Sequence, residues 1–179
     1  MKNIIFVPIR DYFISRKKVF IKFLIPIMIA LTVLLLAIFF NIGDPEKVLS
    51  TFSEFIDTQI NIVAILISFS VAIITILVSA DNKNIQCLKE TESKRKQYKP
   101  VNGKQLSLFQ ILLSNITYNV IVQIIYLVDL IAVSLMQNLL PIATLKYITA
   151  ICIFIIVHIL FVLLESVAQM YLTFWENKK

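Results

Sequence analysis

Glycine occurs only twice in the 179 residues, proline five times, cysteine twice and histidine once. Tight turns are built mainly from glycine and proline. Their scarcity excludes a multi-stranded sandwich and a glycine-rich nucleotide-binding fold. A lone His158 excludes a multi-histidine metal site within one chain. Cys87 falls in a polar stretch and Cys152 in an apolar one, so a disulfide between them would need implausible geometry. Charge is also scarce, at 16%, where a soluble domain carries about a quarter.

Hydrophobic residues make up 59% of the chain, and the mean hydropathy is +0.86. Crossing ~30 Å of hydrocarbon takes ~20 apolar residues at 1.5 Å each. Uncharged runs cover Phe23 to Gly43 and Thr58 to Ala80, and a third runs from Gln105 to Leu145 with only Asp129 inside. The fourth, Tyr147 to Trp175, holds His158 and Glu165. The reading is an all-α integral membrane protein with four transmembrane helices, near 23–43, 58–80, 106–136 and 147–175. A juxtamembrane segment, 1–22, precedes the four-helix domain, 23–179. The first run is too long for a signal-peptide core and lacks a small-x-small cleavage site, so it is expected to stay as a span.

The 17 basic residues set the orientation. Six precede the first span, seven lie between Lys83 and Lys104, and two end the chain, while Lys47 and Lys146 are alone in the other two loops. Fifteen of seventeen on one side predicts cytoplasmic termini and a cytoplasmic segment 81–104. The net charge of +6 then faces the anionic inner leaflet, and direct nucleic-acid binding is not expected. Within 1–22, apolar residues such as Phe6, Tyr12 and Phe13 adjoin Arg16, Lys17 and Lys18, a combination suited to lying in the interface with its cations on lipid headgroups. That segment reads as an anchor or as a lipid-sensing switch.

In the inner segment, Glu90 and Glu92 each precede a lysine by four residues, in the favourable order for helical pairs. The second span is therefore expected to continue as a helix until Pro100 and Gly103. Lys94, Arg95 and Lys96 form either a solvated surface or a docking site for a cytosolic protein. On the outer side, Asp44 to Asp57 reads as a short acidic loop, with a helix starting near Ser50.

Polar residues inside the spans follow helical spacing. Asn61, Ala64, Ser68, Ala72, Thr75 and Ser79 form a small-residue stripe, suited to close helix packing in the bundle or between subunits of a homo-oligomer. At 100° per residue, Asn115, Tyr118, Asn119, Gln123, Tyr126 and Asp129 share one face of the third span. His158, Glu165 and Gln169 align on the fourth. These two faces either hydrogen-bond as structural glue or line an aqueous path. Depth matching pairs His158 with Asn119 or Gln123, and Glu165 with Ser114 or Asn115, and it leaves Asp129 near the outer interface.

Catalytic signatures of intramembrane enzymes are missing. Neither Gly43 nor Gly103 belongs to a Gly-x-Ser nucleophile turn or a Gly-x-Gly-Asp element, and no Asp/Glu cluster offers metal ligands. No catalytic residue, cofactor or metal is expected.

In length, span number, terminal orientation and its basic Asp81–Lys104 segment, the chain resembles the small four-span inner-membrane subunits of bacterial antiphage defence systems, such as the KwaA component of Kiwa. That resemblance implies an oligomeric assembly in the bacterial inner membrane that works with a cytosolic effector. Two functional classes follow: a sensor or scaffold that recruits a soluble partner, and an oligomeric channel or pore effector that depolarises the membrane. The topology is checked by labelling from outside, where Lys47→Cys should react and Lys94→Cys should not.

Overall fold

The structure is a computed structural model that describes residues 6–17, 19–40, 44–79, 83–92, 98, 100 and 105–176, without the side chains of 84 and 172–176. Its helices are α1 (Phe6–Ile14), α2 (Val19–Phe39), α3 (Pro45–Ser79), α4 (Lys83–Glu90), α5 (Leu108–Met136) and α6 (Ile142–Glu176), with a 3-10 turn at Gln137–Leu139 between the last two. Four of them, α2, α3, α5 and α6, are long and apolar enough to cross a membrane. The protein is an all-α, multi-pass membrane protein.

Several boundaries depart from those expected, because charge was used to end helices that charge does not end. Helix α2 starts at Val19 and takes Lys22 into its first turn, since a lysine's long stem lets its charge reach the interface. The acidic stretch Asp44 to Asp57 is not a loop but the opening of α3. Asp44 Oδ1 accepts from the Glu46 amide at 3.1 Å, and Pro45 occupies the first helical position, where its missing N–H costs nothing. Ser50 therefore caps nothing, and its hydroxyl donates back to the Lys47 carbonyl. Where one helix is expected from the second span to Pro100, α3 ends at Ser79 and a separate α4 covers Lys83–Glu90, and Glu92 pairs with Ser107 in an isolated bridge. Ser107 and Gln110 form a capping box at the start of α5, each side chain accepting from the other's amide at 3.2 and 3.0 Å. That capping box went unread in the sequence.

Contacts group the chain into two compact units. The first contains Met1–Phe20, Phe69–Ile121 and Leu160–Lys179, and the second Ile21–Ser68 and Val122–Ile159. In the first, Leu77, Ile85, Leu88, Leu112 and Ile116 form the apolar core, so the stripe carrying Ile85 and Leu88 is buried by α5. In the second, Ile56 and Val63 of α3 pack with Tyr126 and Leu130 of α5 and Ile156 and Ile159 of α6. The Tyr126 hydroxyl enters this core because it donates to the Cys152 carbonyl at 3.1 Å, which removes the penalty for burying it.

The small-residue stripe of α3 is not used inside the bundle. Asn61, Ala64, Ser68, Ala72, Thr75 and Ser79 are all exposed. The hydroxyls of Ser68, Thr75 and Ser79 donate to carbonyls four residues back, so they are satisfied within their own helix.

Candidate functional site

The first unit contains a polar cluster that ends in charge on both sides. Helix α1 stops at a turn in which the Ser15 amide donates to the Asp11 carbonyl at 3.0 Å. The next residue, Arg16, forms a bridge with Tyr98 and is 4% exposed. Its guanidinium lies over the Tyr12 ring at 3.5 Å, a planar stacking arrangement that a lysine ammonium would not reproduce. Tyr12 in turn stacks on Tyr118 of α5, with ring centroids 3.8 Å apart. Burial holds the Tyr12 phenol above its ordinary pKa, and the neighbouring guanidinium pulls the other way. The phenol is therefore neutral at physiological pH.

From Arg16 the hydrogen bonds run in one direction. Arg16 Nη2 donates to Asn115 Oδ1, and Asn115 Nδ2 donates to Gln169 Oε1 at 3.1 Å. Gln169 Nε2 donates to the Tyr98 hydroxyl and, at 3.2 Å, to Glu165 Oε1, which also accepts from Tyr98 at 3.4 Å. Arg16 Nη2 and Glu165 Oε1 are 3.9 Å apart. The order follows from chemistry. A guanidinium can only donate and a carboxylate can only accept, while amides and a phenol can pass the direction along between them. Among the described residues the cluster pairs one cation, Arg16, with one carboxylate, Glu165.

Arg16 is thus corrected from a headgroup-facing cation to a buried partner of Glu165. Lys17 is exposed, as a headgroup contact requires. Lys18, Lys94, Arg95 and Lys96 lie outside the described residues. The expected link between the two polar faces forms through Asn115 and Gln169, although Glu165 takes Arg16, Tyr98 and Gln169 as partners rather than Ser114 or Asn115. Asn119 is buried, but among the described residues its amide has no hydrogen-bond partner, so it does not pair with His158. In the second unit, His158 is buried and stacks on Phe23 at 4.5 Å, and Gln123 is fully buried. Asp129 is exposed and does not join the buried polar residues. Tyr118 lies on the polar face expected of α5, Tyr12 reads from the sequence only as an interface residue beside a basic run, and Tyr98 is the member that sequence reasoning missed.

Burial differs across the ion pair, with side-chain exposures of 3% for Arg16 and 22% for Glu165. A stranded Arg16 therefore has less access to water than a stranded Glu165. Glu165→Gln should cost about 2–3 kcal/mol and Arg16→Met less, with Arg16→Met/Glu165→Gln more stable than Glu165→Gln alone. SDS-induced unfolding measures all three. Equal losses for the two single variants would remove the charge pair as the source of stability. No protein-family model, curated protein or solved structure matches the chain.

Proposed function

We propose that the protein is a non-enzymatic sensor or scaffold subunit of a bacterial antiphage defence assembly, resident in the inner membrane. Both termini and residues 81–104 face the cytoplasm, and a cytosolic protein docks on that basic face. The observation that carries this reading is the direct side-chain hydrogen bonding within the polar cluster, in which Arg16 Nε and Nη1 alone of the guanidinium nitrogens have no partner among the described residues. Asn115, Glu165 and Gln169 are satisfied by Arg16, Tyr98 and one another, which favours glue over conduction. The same cluster holds Tyr98, within the 81–104 segment, against α6. The orientation rests on the distribution of basic residues, and the link to defence rests on the architectural resemblance.

The second reading, a homo-oligomeric channel, is favoured by the exposed stripe of α3. From Asn61 to Ser79 it covers about 27 Å, close to the hydrocarbon thickness, with small and hydroxyl-bearing side chains throughout. Helices meeting along it would surround a narrow polar path.

Reversing Lys94, Arg95 and Lys96 to Glu separates the two. These charges stay on the hydrated side, so insertion should be unchanged. A scaffold should lose its co-purifying cytosolic partner in this triple variant. A partner recovered at wild-type yield, or ion flux from liposomes holding the protein alone, would favour the channel.

A further inference from the structure

The first unit has a cavity of about 630 Å³ between α1 and the first turns of α5, a size typical of small-ligand sites. Among the described residues its wall carries two adjacent charges of opposite sign, Arg10 and Asp11, on α1. Both side chains are exposed, and neither has an ion-pair or hydrogen-bond partner among the described residues. Across the cavity stand Gln110, Ser114 and Thr117, and the Ser114 hydroxyl has no partner among the described residues. Ile14, Ile111 and Leu113 supply an apolar portion.

Depth narrows the occupant. Gln110 is the third residue of α5 and Thr117 the tenth, so this wall descends about 10 Å from the start of a spanning helix. That interval takes in the headgroup layer and the top of the acyl region. Phe6, Val7 and Phe13 of α1 are exposed large hydrophobics, suited to the acyl boundary. An amphipathic occupant with a dipolar head matches this lining.

We propose that the cavity binds the headgroup of a zwitterionic phospholipid of the phosphatidylethanolamine type. Arg10 donates to the phosphate oxygens, and the primary ammonium donates to the Asp11 carboxylate. The two charges select against the alternatives. Phosphatidylglycerol brings an anion with no cation to meet Asp11. Phosphatidylcholine brings a cation with no N–H to donate. Asn115 lies on the cavity wall and also accepts from Arg16, so the lipid would touch the polar cluster directly.

The test is native mass spectrometry of the full chain released from nanodiscs of mixed phosphatidylethanolamine, phosphatidylcholine and phosphatidylglycerol. The expected result is phosphatidylethanolamine retained about tenfold over phosphatidylglycerol, which corresponds to one charge-assisted contact. Asp11→Asn should bring that preference close to unity, and Arg10→Gln should lower retention of all three. Both positions are exposed, so thermal melting should be unchanged and serves as the folding control. Equal retention of the three lipids by the wild type, or an unaltered preference in Asp11→Asn, would overturn the proposal. Soluble phosphoethanolamine retained as well as the lipid would also overturn it, by removing the acyl chains from recognition.

Discussion

Arg16 brings a full positive charge to a place that water barely reaches, and much of the first unit is arranged around that fact. A buried guanidinium needs a carboxylate nearby and acceptors for its donors; here Nη2 is engaged, while Nε and Nη1 have no hydrogen-bond partner among the described residues. Glu165 supplies the charge from α6, and Asn115 supplies the acceptor from α5. Tyr12 covers the guanidinium face, and Gln169 and Tyr98 both donate to Glu165 Oε1. The segment before α2, the segment around Tyr98 and two spanning helices thereby meet at one charge pair. Lipid provides no hydrophobic drive between helices, so such polar contacts have a larger share in fixing the arrangement than they would in a soluble core.

Four spans were legible from the sequence because nothing else accommodates uncharged runs of that length. The buried faces of α5 and α6 were legible from helical spacing, and Asn115, Asn119, Gln123, His158 and Gln169 are all buried. Asp129 shares the same angular face but is exposed, because an angle fixes a direction and not the neighbour that covers it. Arg16 could not be read correctly from its own surroundings. Beside Lys17 and Lys18 it looks like one of three headgroup cations, and the partner that sets it apart, Glu165, is far along the chain. The α3 boundary failed for a related reason, since the acidic residues after Asp44 read as a loop while the Asp44–Pro45 cap starts a helix there.

The cluster also bears on how such a protein could report an event. Its members come from segments that differ in membrane exposure, and Asn115 belongs both to the cluster and to the wall of the cavity beside α1. A change in what occupies that cavity has a short route to Arg16, then through the hydrogen-bond chain to Tyr98. A sensor built on this route would need no catalytic group. Its output would be the position of the surface that a partner reads.

The central claim is that the Arg16–Glu165 pair ties α1 and the Tyr98 segment to α5 and α6. Hydrogen–deuterium exchange on Glu165→Gln, compared with the wild type in the same detergent, tests it most directly. The account predicts faster exchange in residues 6–17 and around Tyr98 together, with the α3 amides from Phe52 to Val63 unchanged. Wild-type exchange in residues 6–17, or acceleration spread evenly over every helix, would contradict it.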